Sequence, residues 1–165
     1  MFNHKIVRLG LACLALSLAA TSGAFAGSAT NNVTVSATIS NNCVLSTGTV
    51  AFGSYDPVVT NNTAPLNQTG TFTVSCTKGA AATIALGNGA NFNGGHRFMA
   101  SGGNKLQYEL YSDSGMTHVW NSGNMVSYNS TTMAATTETI YGQIAAGQDV
   151  NTGSYSDTVV ATVNF

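Results

Sequence analysis

The sequence predicts a single all-β domain built as an antiparallel sandwich, and three observations carry that expectation. Apolar residues recur at every second position in six segments, 49–55, 69–77, 82–87, 105–112, 137–145 and 155–165, the spacing of strands with one buried face. Clusters such as Asn61-Asn62-Thr63, Gly87-Asn88-Gly89, Asn93-Gly94-Gly95, Ser101-Gly102-Gly103, Asp113-Ser114-Gly115 and Asn151-Thr152-Gly153 separate them, and these are turn formers. No window carries apolar residues at i, i+3, i+4 and i+7 through three turns, so any helix is short.

In chain order, the first segment reads as a secretory leader. Lys5 and Arg8 form a basic start, residues 9–20 an apolar run, and Ala24-Phe25-Ala26 a small-x-small cleavage signal, which places the expected cut between Ala26 and Gly27. That run falls short of the roughly 20 apolar residues needed to cross a bilayer, and no later run approaches the length, so no stable membrane insertion is expected after cleavage. Residues 27–165 suit one domain of sandwich size.

Residues 30–40, TNNVTVSATIS, follow. Val33, Val35, Ala37 and Ile39 alternate with Thr34, Ser36 and Thr38, and the stretch carries no charge. An uncharged, β-branched strand with a free edge is an association hazard unless something covers it. At the far end, Tyr155, Val159, Ala161, Val163 and Phe165 share one face and Thr158, Val160, Thr162 and Asn164 the other. The sequence stops inside that strand, with no return strand for its outer edge. Two uncovered edges invite pairing by β-augmentation, with each other or with other chains. On pattern alone, residues 30–40 serve equally as the first strand of the chain's own sandwich.

Parity also assigns the core. Phe72, Val74 and Cys76, then Ile84 and Leu86, Leu106, Tyr108 and Leu110, and Ile140 and Ile144 should all face inward. Of three cysteines, Cys13 leaves with the leader; Cys43 and Cys76 remain for an oxidising compartment, where one disulfide is expected. The two are far apart and lack C-x-x-C spacing, which favours a structural bridge over a redox pair.

Charge excludes one partner class. Beyond the leader, Lys78, Arg97 and Lys105 stand against Asp56, Glu109, Asp113, Glu138, Asp149 and Asp157. Three scattered cations cannot supply the counterion release that drives nucleic-acid binding. A neutral surface of Ser, Thr, Asn and Gln does little to keep copies apart.

Catalytic chemistry finds no support. His96 and His118 have no His, Cys or carboxylate at zinc-type spacing, so no metal site is expected. There is no G-x-S-x-G elbow, and no acid pair is marked by spacing, so neither an enzyme nor a cofactor is expected. Gly87-Asn88-Gly89 and Gly94-Gly95 are loop signals without a following helix to cradle phosphate. N-x-[ST] sequons at Asn32, Asn61, Asn67 and Asn129 match chance in a chain this rich in Asn and Thr. Trp120, Tyr111, Tyr128 and Tyr141 read either as a sugar-stacking surface or as packing.

Several stretches together resemble the spore coat protein U domain family, which supplies subunits of archaic chaperone-usher pili. They are the alternating arm with Cys43 soon after it, Phe52-Gly53-Ser54-Tyr55-Asp56, Gly70-Thr71-Phe72-Thr73-Val74-Ser75-Cys76, Ile84-Ala85-Leu86-Gly87-Asn88-Gly89, Arg97-Phe98-Met99, Leu106-Gln107-Tyr108-Glu109-Leu110-Tyr111, and Gly153-Ser154-Tyr155-Ser156-Asp157-Thr158 leading to Val163-Asn164-Phe165. The resemblance implies an immunoglobulin-like antiparallel β-sandwich lacking its final strand, with residues 27–41 a donor-strand arm and 42–165 the body. It implies secretion through the periplasm to the cell surface, a periplasmic chaperone, an outer-membrane usher and other pilin subunits as partners, and polymerisation by donor-strand exchange in a fibre serving adhesion or biofilm formation. Carried onto this chain, the donor side chains are Val33, Val35, Ala37 and Ile39, and the acceptor edge is the strand from Asp157 to Phe165, with Val159, Ala161, Val163 and Phe165. A secreted monomeric ligand- or glycan-binding sandwich, as an adhesin or spore coat component, is the alternative.

Overall fold

A computed structural model describes residues 26–165; the leader run and its basic residues lie outside the described residues. Residues 26–37 precede the sandwich body, Thr38–Phe165. Eight strands and no helix make up the described residues: β1 (Cys43–Leu45), β2 (Leu66–Cys76), β3 (Ala81–Leu86), β4 (Arg97–Ser101), β5 (Asn104–Tyr111), β6 (Val126–Asn129), β7 (Thr136–Ile144) and β8 (Ala161–Asn164). They form an immunoglobulin-like sandwich of two antiparallel sheets, one in the order β1-β2-β7-β5-β4 and one in the order β6-β3-β8.

The core is the one that parity predicts. Phe72, Val74 and Cys76 of β2, Ile84 and Leu86 of β3, Leu106, Tyr108 and Leu110 of β5, and Ile140 and Ile144 of β7 are all buried. β2 and β7 pair from Leu66↔Ile144 to Val74↔Thr136, which puts their inward residues on one face of the larger sheet. Trp120 closes the interior: its indole N–H donates to the Ile84 carbonyl at 2.8 Å and its ring lies 5.9 Å from Phe72. The aromatic surface that included Trp120 and Tyr128 is therefore not assembled, because both side chains are buried.

Strands β1, β4 and β6 are absent from the expectation, since all three are short and β4 carries a cation at an inward position. Arg97 is 2% exposed. Its guanidinium donates to the carbonyls of Gly87 at 2.6 Å and Trp120 at 2.8 Å and pairs with Glu109, so every part of the buried charge is met. It ties the end of β3 and the Trp120 loop to β4 and β5.

Two expected strands, 30–40 and 49–55, are not formed as ladders, and a third, 155–165, is a ladder only over Ala161–Asn164. Residues 26–42 hold no regular secondary structure, and Val33, Val35 and Ile39 are 85%, 90% and 78% exposed. Alternation fixes which side chains share a face, but a strand also needs a neighbouring backbone to bond. Residues 49–55 make one bridge, Thr49↔Thr71, although Val50 and Phe52 do turn inward. The last strand is shorter than 155–165, and Phe165 lies past its end, 54% exposed.

Cys43 and Cys76 stand opposite each other in the β1–β2 ladder and are joined by a disulfide. The bridge clips the short β1 to the sheet across a separation of 33 residues. Replacing both cysteines by alanine is expected to lower unfolding free energy by about 3–4 kcal/mol, read from urea denaturation of the two proteins.

Candidate functional site: an open groove beside the last strand

The groove has two walls, built largely from segments that fail to become strands. The first is residues 46–52. The Ser46 amide donates to the Thr73 carbonyl at 2.9 Å and Thr49 bridges Thr71, so this segment lies against β2. It sits close because glycines face it: a Cβ on Gly70 would fall 2.2 Å from the Thr49 carbonyl oxygen, and one on Gly142 would fall 2.7 Å from the Phe52 ring.

The second wall is residues 155–161. Ser156 exchanges backbone bonds with Ala100 at 2.9 and 3.1 Å, the Thr158 carbonyl accepts from Ala90 at 3.0 Å, and the Val160 carbonyl accepts from Gly87 at 2.7 Å. Beyond them β8 pairs with β3 from Leu86↔Ala161 to Thr83↔Asn164. Successive residues of an extended chain turn their backbone groups to opposite edges. Positions 156, 158 and 160 spend theirs on this side, so positions 157, 159, 161 and 163 turn theirs away from β3, toward the groove. Their side chains are half-buried, while 158, 160, 162 and 164 are exposed.

Between the walls two hollows open onto the core. One hollow of about 350 Å³ has Phe72, Leu86, Leu110 and Ile140 at its floor. A second, of about 580 Å³, reaches Leu106, Ile144 and Val150. They share Val50, Phe52, Met99 and Tyr155, which makes one long trough with an apolar floor and polar rims.

A polar spot interrupts it. Asp157 is the single charged residue lining either hollow. Its carboxylate accepts from the Tyr108 hydroxyl at 2.7 Å, from the Asn91 amide at 3.2 Å and from the Asn91 side chain at 3.0 Å. Burial, and then the bond to Asp157, push the Tyr108 phenol well above its ordinary value. The Tyr108 ring meets Phe52 edge-on at 6.2 Å. Gly89, at φ +88°, makes room for the carboxylate, since a Cβ there would lie 2.1 Å from it.

Of the residues read from sequence, Val159 and Ala161 line the groove, Val163 pairs with Ile84 at its continuation, and Phe165 sits past it in solvent. Val33, Val35, Ala37 and Ile39 are exposed, as are Ala26 and Gly27. His96 and His118 are surface residues; among the described residues no group of three or more His, Cys, Asp or Glu is gathered. His118 instead belongs to a turn in which its own amide and that of Thr117 donate to Asp113, holding that carboxyl down at about 2. Sequence reading placed Asp157 at the start of the acceptor edge without its hydrogen bonds, and missed Asn91 and the glycines at 70 and 142. Asp157 shares the parity of Tyr155 and Val159, and that inward phase in an otherwise apolar series was the available signal.

Two outcomes follow. Gly142→Ala should drive Phe52 and Val50 off β7 and lower stability by about 1–3 kcal/mol, measured by thermal or urea unfolding. Tyr108→Phe should cost about 1.5–3 kcal/mol at pH 7 by removing a donor from a carboxylate. The folded phenol titrates above the unfolded one, so the wild-type contribution is complete below about pH 10 and declines as pH rises past it. The gap between the two proteins should therefore narrow in unfolding experiments between pH 9 and pH 11.

Comparison with known proteins agrees with this architecture. Residues 29–162 match the Spore Coat Protein U domain. Protein U of Myxococcus xanthus is 36% identical over 167 residues, an alignment covering 92% of this chain and 93% of that protein. Among solved structures, the fold resembles a chain of the CsuC-CsuE chaperone-tip adhesion subunit pre-assembly complex from archaic chaperone-usher Csu pili of Acinetobacter baumannii, with a TM-score of 0.57 and 23% identity. That alignment covers 78% of this chain and only 40% of the other. The family match spans nearly the whole described chain, and the protein belongs to the Spore Coat Protein U domain family.

Proposed function

We propose that the chain is a structural subunit of a secreted surface fibre, joined to its neighbours by donor-strand exchange. The observation that carries this reading is the open trough beside residues 155–163, whose edge has unpaired backbone groups and whose floor is apolar core. The chain also owns a segment of matching chemistry: residues 27–41 alternate, carry no charge and keep Val33, Val35 and Ile39 exposed. In the fibre, this arm of one copy enters the trough of the next, with Val159, Ala161 and Val163 as the acceptor edge.

Burial of Val33, Val35 and Ile39 contributes about 1.5–3 kcal/mol each, and the new backbone bonds about 0.5–1.5 kcal/mol each, against the ordering cost of the arm. A trough of this kind cannot stay open through export without aggregation, which calls for a periplasmic chaperone that covers it and an outer-membrane usher where the arm replaces that cover. The leader, cut between Ala26 and Gly27, delivers the chain to the periplasm, and residues 42–165 form the body of the subunit. Adhesion or biofilm formation is the role of the resulting fibre. The Csu complex, a chaperone bound to a pilus subunit, supports this reading by analogy of fold.

Val35→Asp and Ile39→Asp should each abolish fibres in electron micrographs while the subunit still co-purifies with its chaperone. Fibres of normal length and number from both variants would contradict the proposal.

A further inference from the structure

We infer that Asp157 fixes the register of the inserted arm, by requiring the smallest arm side chain, Ala37, opposite it. This rests on the donor-strand reading and adds what selects one alignment among several. The arm is taken to run antiparallel to β8, the sense of every ladder in the sandwich. Its inward face must stay inward, and a one-residue slip would turn Val33, Val35 and Ile39 to solvent, so only shifts of two residues compete.

Along the acceptor edge the inward positions are Tyr155, Asp157, Val159, Ala161 and Val163, and one of the five is charged. Along the arm they are Val33, Val35, Ala37 and Ile39, and one of the four is a bare methyl. With Ala37 opposite Asp157, Val35 meets Val159, Val33 meets Ala161 and Ile39 meets Tyr155. Val33 and Val35 then cover the hollow floored by Phe72, Leu86, Leu110 and Ile140, and Ile39 covers the one reaching Leu106 and Ile144. A shift of two residues either way lays Val35 or Ile39 over Asp157.

That misplacement is costly for a definable reason. A carboxylate offers about four lone-pair sites, and Asp157 has three donors, one from Tyr108 and two from Asn91. A branched aliphatic side chain would shut its remaining site away from water without a partner, whereas a methyl leaves room for one. The polar spot therefore works as a single buried asparagine does in a coiled coil, where it trades some stability for one alignment.

Disulfide trapping between copies tests this. Full chains carrying Val159→Cys are co-assembled with chains carrying Val33→Cys, Val35→Cys or Ala37→Cys, the Cys43–Cys76 bridge being intact in all. Directly opposite residues lie about 5.5 Å apart and suit a disulfide, whereas the diagonal neighbours at about 7–8 Å do not. Val35→Cys should cross-link about tenfold more than either neighbour, the ratio set by a 1.4 kcal/mol preference. Dominant trapping by Val33→Cys or Ala37→Cys would overturn the register and leave strand exchange standing; no inter-chain trapping by any of the three would overturn both. Adding Asp157→Val to the acceptor should level the three yields. Should that variant fail to fold, Ala37→Leu on the Val35→Cys donor gives the same test from the other side, and should cut its trapping about tenfold. An unchanged preference in either would show that Asp157 does not set the alignment.

Discussion

The structure depends on one unmet requirement, that the backbone groups of residues 157, 159, 161 and 163 turned away from β3 are hydrogen-bonded to no strand among the described residues. A buried amide without a partner costs as much as a lost hydrogen bond, so such an edge persists only in water or against another strand. The walls, the glycines that seat residues 46–52 and the uncovered hollows follow from leaving that position vacant in an otherwise complete sandwich. What makes the vacancy tolerable is that the rest of the body is held independently of it. The β2–β7 ladder, the disulfide at β1 and the pairing of buried Arg97 with half-buried Glu109 each close without help from the missing strand.

The balance of forces at the trough favours a strand of a particular kind. Its floor, with Phe72, Leu86, Leu110 and Ile140 in one hollow and Leu106 and Ile144 in the other, rewards alternating aliphatic side chains. Its edge rewards any extended backbone, whatever the sequence. Affinity is therefore nearly indifferent to alignment, and discrimination falls to the one inward position of residues 155–163 that is charged. Asp157 is also the hub that joins the last strand to Tyr108 and Asn91, so the same group that shapes the trough anchors its wall.

Much of the fold was legible because alternation is a direct consequence of strand geometry. Phe72, Ile84, Leu106, Tyr108 and Ile140 were assigned inward from parity alone, and they are the core. Parity does not report whether a partner strand exists, and for this reason residues 30–40, 49–55 and 155–160 read as strands that the described chain does not form. Arg97 hid β4, because a cation at an inward position looks like a break in the pattern until its carbonyl partners and Glu109 are seen. The site was legible in outline, through Val159 and Ala161, but Asp157 was read only as the start of the edge and as one of the scattered acids. Its partners lie 49 and 66 residues away in sequence, at Tyr108 and Asn91, a separation that no local pattern reports.

The central claim is that the last strand has a free edge in the isolated subunit and a bonded one in the fibre. Amide hydrogen exchange at Val159, Ala161 and Val163 measures it directly. The account predicts fast exchange of these three in the lone subunit, beside slow exchange at Ile84 and Ile140, and protection of all five after assembly. Equal protection of the three amides before and after assembly would contradict it, because the edge would then be closed by the chain's own structure.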